Sequence, residues 1–334
     1  MRASDAARRD FFRRLLGPLW LRPESALWYG HMLAEAGRLM CDSLPQPSLE
    51  FGCMDGVNSF ILLGGEFSTS FDVFSETTWS SESCHYDPGK PDFFDVSDVA
   101  PWGANERARY ISKYPSHRFS LGVDWKQSHI RKADRLKVYE ELRLLDLSGD
   151  YREIPKNHFN FIWAPNIYWM TDVRCVVEAL ARALRPGGRL VTICPDYSQL
   201  SSMWFARSEG IPDTVFRQWF TDLDRGRYAN SKKTARPLKD WHALFQESNL
   251  EVFSHTDFIP SPVGKVYDIG LRPLFPALLD LHHRIQPLGE EKMLGFKASW
   301  LKVVFDAVSP LCDRSWLDDS SGGDLWHIFE LGKR

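Results

Sequence analysis

The chain has no apolar run near the roughly 18 residues of a membrane span, so no transmembrane segment is expected. Its six cysteines (Cys41, Cys53, Cys84, Cys175, Cys194 and Cys312) are scattered and form no Cys-x-x-Cys pair. That spacing excludes a disulfide framework and a cysteine zinc site, and it fits reduced thiols in a cytoplasmic protein. Charge of one sign is also missing: 41 Lys and Arg stand against 44 Asp and Glu, leaving −3. A protein that grips nucleic acid without regard to sequence needs a basic face, so no nucleic-acid partner is expected. Internal repeats and low-complexity tracts are absent too. What is abundant is aromatic: 13 Trp and 22 Phe, enough to wall a cavity as well as fill a core.

At 334 residues, one large domain with elaborations accounts for the length. The N-terminus reads as two helices, 5–17 and 24–43, separated at Gly17-Pro18 and Arg22-Pro23. Residues 2–20, which hold the first, carry Arg2, Arg8, Arg9, Arg13 and Arg14 beside Phe11, Phe12, Leu15, Leu16 and Leu19. Three readings stand for it: a helix packed on the domain, a peripheral membrane contact, or a transit peptide, the last opposed by Asp5 and Asp10. Beyond Pro45 and Pro47 a short strand is expected at Ser48–Phe51, then a helix at 55–63 closed by Gly64-Gly65. The pattern loosens over 66–118, with Phe71–Phe74 a candidate strand inside it. Strands return at Phe119–Asp124, Leu142–Leu145 and Phe159–Trp163, with a helix carrying Ile130, Ala133 and Leu136 after the first. A helix at 173–185, capped by Asp172 and broken at Pro186-Gly187-Gly188, leads to a buried strand at 189–193. A helix at 238–248, a strand at 250–253 and a closing strand at 325–331 complete the pattern. Strands alternating with helices imply a mainly parallel sheet covered on both faces.

In such a sheet, ligands bind outside the carboxyl ends of the strands. Three of those ends carry acids: the loop Glu50–Gly56, Asp124 and Asp146. Small residues in the first let a ligand approach the backbone, a carboxylate after the second suits ribose hydroxyls, and an acid after the third suits the adenine amino group. Asp72 also ends a candidate strand and is a rival for the ribose. Plain structural roles stand beside these: Asp124 as a helix cap, Asp146 as a turn residue, Pro186–Gly188 as a turn.

The run Leu49-Glu50-Phe51-Gly52-Cys53-Met54-Asp55-Gly56 resembles the acid-x-Gly-x-Gly-x-Gly signature of class I S-adenosylmethionine-dependent methyltransferases. Phe161–Asn166 and Ala181–Val191, with its Leu-Arg-Pro-Gly-Gly-Arg-Leu core, resemble that family's fourth strand, helix and fifth strand; Trp241–Val252 resembles its late helix and sixth strand. The resemblance implies a doubly wound, mainly parallel seven-stranded α/β sheet of Rossmann-like type with helical cap insertions. It divides the chain into an N-terminal helical cap (1–44), a core (45–260 with 321–334, and an insertion at 66–118) and a helical lid (261–320). It implies S-adenosylmethionine as cofactor, with Glu50, Gly52, Cys53 and Gly56 around the methionine moiety. Asp124 falls on the ribose, Trp125, Asp146 and Leu147 beside adenine, and Ala164 and Asn166 near the transferable methyl. Two departures accompany it: Met54 stands at the second glycine, and Asn160 replaces an acid that commonly opens the fourth strand.

Methyl transfer asks chiefly for alignment, with a general base for some oxygen or nitrogen acceptors. His31, His85, His282 and His283 are the candidate bases, and Trp28, Tyr29 and Trp169 candidate walls for a sulfonium. No metal ligand set is evident. The expected function is methyl transfer to a small-molecule acceptor, a specialised metabolite or glycan precursor. The competing readings are a non-catalytic methyltransferase-fold scaffold, a nucleic-acid or protein methyltransferase, and a nicotinamide-dependent oxidoreductase. Ala164-Pro165-Asn166-Ile167 lacks the Asn/Asp-Pro-Pro-aromatic arrangement of amino-methylating DNA enzymes, and the first loop lacks Gly-x-Gly-x-x-Gly.

Overall fold

Seven strands form one sheet in the order β5-β4-β1-β6-β7-β9-β8. They are β1 (Ser48–Phe51), β4 (Phe119–Asp124), β5 (Tyr139–Leu144), β6 (Phe159–Ala164), β7 (Leu184–Pro195), β8 (Leu250–Asp257) and β9 (Trp326–Lys333). A computed structural model describes residues 2–40, 44–76, 99–146, 151–170, 172–203, 227–314, 317 and 324–333. The first five strands of the sheet run parallel, and β9 enters antiparallel between β7 and β8. The chain thus winds outward from β1 in both directions, and the switch point lies between β1 and β6. This is the doubly wound, mainly parallel sheet expected. Among the described residues β8 pairs only with β9.

Strand burial explains the near-continuous apolar runs: β1 is buried throughout, and β4 and β6 at every position but one. Around the sheet lie α1 (Asp5–Leu16), α2 (Pro23–Met40), α3 (Val57–Leu62), α4 (Ala104–Tyr110), α5 (Gln127–Leu136), α6 (Val173–Ala183), α7 (Gln199–Ser202) and α8 (Leu238–Glu247). Three more follow: α9 (Ser261–Lys265), α10 (Phe275–Ile285) and α11 (Glu290–Val308). On one side, α6 and α8 cover Leu49, Ile162, Leu190 and Phe329. On the other, α1, α2 and α3 cover Phe161, Val191 and Ile328.

The N-terminal pair therefore belongs to the core. Phe12 and Leu15 of α1 are fully buried, and Phe12 stacks on Phe305 of α11 at 5.8 Å. With its apolar face against α2 and α11, α1 has no such face to offer a membrane, and the packed reading holds over the membrane and transit ones. No helix of the described residues is long and apolar enough to cross a membrane. The described cysteines Cys53, Cys175, Cys194 and Cys312 are free thiols.

Several boundaries differ from expectation for visible reasons. Phe71–Phe74 is a turn, and the local sheet of the 66–118 insertion is instead β2 (Glu66–Phe67) against β3 (Ile111–Lys113). Phe71 stacks on Phe67 at 4.0 Å, so its apolar side chain serves a small aromatic cluster rather than a strand. Pro186-Gly187-Gly188 lies within β7 as a bulge: Phe159 pairs with Leu184, yet Phe161 pairs with Arg189. Gly187 carries the required positive φ of 75°. Asp172 caps α6 as expected, its Oδ1 accepting from Cys175 N at 3.1 Å.

Helices α1 and α2 touch almost backbone to backbone. A Cβ at Gly30 would stand 3.0 Å from the backbone of Phe12. Gly30→Ala gains about 1 kcal/mol of helix propensity but must push the packed helix backbones apart. A net loss of about 1–2 kcal/mol is expected, read as a lower urea midpoint at unchanged slope.

Candidate functional site

The loop after β1 makes a tight turn whose conformation explains its composition. Gly52 and Gly56 have positive φ, 74° and 78°, and Met54 between them also lies in the left-handed region at 51°. A non-glycine residue there costs ~1–2 kcal/mol, so the departure at Met54 occupies a glycine's backbone position at a glycine's geometry. Gly52 N and Cys53 N both donate to Val123 O at 2.9 Å, binding the turn to the end of β4. Asp55 Oδ1 accepts from Val57 N at 3.1 Å and opens α3.

Asp124 closes the arrangement. Its Oδ2 accepts from Met54 N at 2.9 Å; its Oδ1 accepts from Lys126 N at 3.0 Å and lies 3.1 Å from His129 Nδ1. With the carboxylate accepting, Nδ1 carries the ring proton. The side chain is buried, and it fastens the loop after β1 to the loop after β4. Asp124 serves the loop after β4 without capping α5, whose N-cap is Lys126, and reaches across to the β1 loop as well.

Glu50 is buried one strand away. Tyr139 on β5 donates to its Oε2 at 2.8 Å. The ring fits because Gly122 lies beneath it, where a Cβ would come within 2.6 Å of Tyr139. Burial pushes the Glu50 carboxyl up to about 8. Glu50 thus sits in the sheet interior rather than on an open crevice wall.

The other expected residues fall around these two. Asn166 Nδ2 donates to Gly52 O at 2.7 Å, and its Cβ lies 3.2 Å from where a Gly52 Cβ would be. Ala164 is buried and its carbonyl accepts from Thr192 Oγ1 at 2.7 Å. Gly56 turns its open side to α5, where a Cβ would meet Ala133 at 3.3 Å. Cys53 is buried, which raises its thiol pKa well above the ordinary range. Trp125 is 57% exposed with Lys126 over its ring, and Asp146 is exposed. Leu147 and His85 lie outside the described residues.

A cavity of about 380 Å³ opens beside this loop pair. Met54, Asp55 and Asn58 form its floor, Arg22 and Tyr29 one wall, and His129, Lys132 and Arg135 of α5 another. Asp72, Glu76 and Trp102 of the 66–118 insertion close it from above. Asp72 is held there by Phe74 N, donating to Oδ1 at 2.8 Å, and by His282 at 3.5 Å. It lines the cavity, whereas Asp124 lies buried behind the lining. Burial pushes the Tyr29 hydroxyl up to about 12.

Three candidate bases lie outside the cavity lining. His31 is sealed in α2 with Nε2 3.0 Å from Leu311 O, and burial lowers its pKa to about 3. His282 is buried edge-on to Trp20, behind Asp72 rather than in the cavity, and His283 beside it is absent from the cavity lining as well. Trp28 packs on Phe258 and Trp326 in the core, so it is no cavity wall. Trp169 lies 43% exposed outside the cavity lining. The histidine that does line the cavity is His129, which sequence reasoning passed over. Its signal was position: five residues past a strand-end acid, in the first turn of the following helix.

Solved structures show distant similarity. An S-adenosylmethionine-dependent methyltransferase from Geobacter sulfurreducens, in complex with S-adenosyl-L-homocysteine, is 15% identical over 90% of each chain, with a TM-score of 0.41. A putative sarcosine dimethylglycine methyltransferase from Galdieria sulphuraria is 12% identical over 93% of this chain and 88% of that one, with a TM-score of 0.43. Geranyl diphosphate C-methyltransferase from Streptomyces coelicolor A3(2), in complex with Mg2+, geranyl diphosphate and S-adenosyl-L-homocysteine, is 11% identical over 94% and 84%, at 0.40. No protein-family model and no curated protein matches the sequence. The strand order and the reversed penultimate strand of the sheet themselves make this a class I methyltransferase-type fold.

The Glu50 shift has a pH signature. A carboxyl whose folded pKa is raised stabilises the fold below its unfolded value and loses that contribution as pH rises toward about 8. Between pH 5 and 8 this group lowers stability by up to ~1.4 kcal/mol per pH unit. Glu50→Gln, neutral throughout and still able to accept from Tyr139, is expected to flatten that slope in denaturant titrations. An unchanged slope would place the titration elsewhere.

Proposed function

We propose that the protein is an S-adenosylmethionine-dependent methyltransferase acting on a small-molecule acceptor, a specialised metabolite or glycan precursor. The observation that carries this reading is the cavity beside the loop after β1, lined by Met54, Asp55 and Asn58 and by His129, the residue that bonds Asp124. S-adenosylmethionine supplies a methyl group on a sulfonium, and the chain's role is to hold and align it. Gly52, Cys53 and the backbone of Met54 would flank the methionine moiety, with Ala164 and Asn166 near the methyl. Trp125 and Asp146 would border adenine.

At the ribose, Asp124 would act through the acceptor capacity it has left. A carboxylate offers about four lone-pair sites, and Asp124 already receives three partners. One remains for a ribose hydroxyl, so His129 is the neighbour placed to serve the second. The N-terminal pair, the 66–118 insertion and the helices of 261–320 would bound the acceptor space as cap and lid. The free thiols accord with a cytoplasmic setting.

One observation favours a second reading, a non-catalytic scaffold of the same fold. Both strand-end acids, Glu50 and Asp124, are buried in interactions within the chain.

Calorimetric titration with S-adenosylhomocysteine separates the two. Micromolar binding by the wild type is expected, weakened at least ten-fold in Asp124→Asn, a change of about 1.4 kcal/mol. Circular dichroism checks that the variant remains folded. Failure of the wild type to bind at millimolar ligand would put the scaffold ahead.

A further inference from the structure

On the other half of the sheet, three side chains converge that the proposed methyl transfer does not use. His255 and Asp257 lie two residues apart on β8 and so share a face. His327 of β9 is the register partner of Asp257. His255 Nε2 stands 3.1 Å from His327 Nδ1 and 2.9 Å from Asp257 Oδ1, and His327 Nδ1 stands 2.7 Å from the same oxygen. Among the described residues this is the one such group of His, Cys, Asp or Glu donors within mutual reach.

We infer that His255, Asp257 and His327 form a binding site for a divalent first-row transition metal. Two imidazoles and one carboxylate are a donor set suited to Zn2+, Fe2+, Co2+ or Ni2+ and poorly suited to Ca2+ or Mg2+. Ligands on one face of an octahedron, each about 2.1 Å from the metal, stand about 3.0 Å apart. The three observed separations bracket that value. A tetrahedral ion needs about 3.4 Å, reached by small side-chain rotations.

The surroundings match the same purpose. His327 presents its other ring nitrogen, Nε2, to Asp196 Oδ2 at 3.2 Å, just past the end of β7. A carboxylate on the far nitrogen fixes the ring's tautomer and leaves Nδ1 as a lone-pair donor toward the metal. Phe329 stacks on His255 at 4.9 Å and limits its rotation. Asp257 is 35% exposed on its side chain, so the remaining coordination positions open to water. The site spans β8, β9 and the chain after β7, and a bound ion would lock the edge strand to its only described neighbour.

The test uses tag-free, metal-stripped protein titrated with Zn2+ by calorimetry. One equivalent binding at micromolar Kd or tighter is expected. His255→Gln and His327→Gln each weaken it at least ten-fold, Asp196→Asn about ten-fold, and the exposed His117→Gln not at all. Zn2+ also raises the melting temperature by about 3–5 °C in the wild type alone. Should a histidine variant fail to fold, Co2+ absorption of the wild type decides: a d–d band displaced from that of aqueous Co2+ is expected. No stoichiometric Zn2+ binding up to 100 µM, about ten-fold or more above the expected Kd, would overturn the site. So would an unaltered Co2+ spectrum, or affinity untouched by both folded histidine variants.

Discussion

The bonds that Asp124 makes to Met54, Lys126 and His129 hold the loops after β1 and β4 together. A parallel sheet leaves its strand ends without hairpins to join them, so neighbouring βα loops meet only through what their own residues supply. Here one buried carboxylate does that for two loops, and it fixes the left-handed turn at Met54 that no side chain favours. The floor of the cavity, the start of α3 and the placement of His129 all follow from it.

The two acids at neighbouring strand ends divide their work by environment. Asp124 lies among backbone N–H groups that suit a charge. Glu50, a strand away, has the hydroxyls of Ser59 and Tyr139 beside it, and burial outweighs them and drives it toward neutrality. Gly122 belongs to this pairing as much as either acid, because it makes the room through which Tyr139 reaches Glu50. Sequence order alone would assign both carboxylates to the ligand.

The sheet was readable because buried parallel strands write their apolar runs plainly, and β1, β4 and β6 lie where those runs predict. Asp172 and the start of α6 were readable for a local reason, a cap three residues from its partner. The failures share a cause in distance along the chain. Nothing near Phe71 reveals that Phe67 will stack on it, and nothing near His31 reveals that Leu311 will seal it. The convergence of His255 and Asp257 on His327 is of the same kind: the pair on β8 is visible as an i, i+2 spacing, but its partner comes from a strand whose register no local pattern states. The glycines of the β1 loop were recognisable as a signature, whereas their uses proved unlike one another: Gly52 meets Asn166 and Gly56 meets Ala133.

The reversed strand β9 also sets an order of events. Among the described residues β7 and β8 are not hydrogen-bonded neighbours; each pairs with β9, which arrives after the long helical segment holding α10 and α11. During synthesis, which proceeds at roughly 5–20 residues per second, β7 presents a bare edge and β8 has nothing to join until the closing strand emerges. An exposed edge is where strands of other chains add. Completing the sheet is therefore a late, long-range step, and a nascent chain interrupted before it carries the open edge most inviting to aggregation.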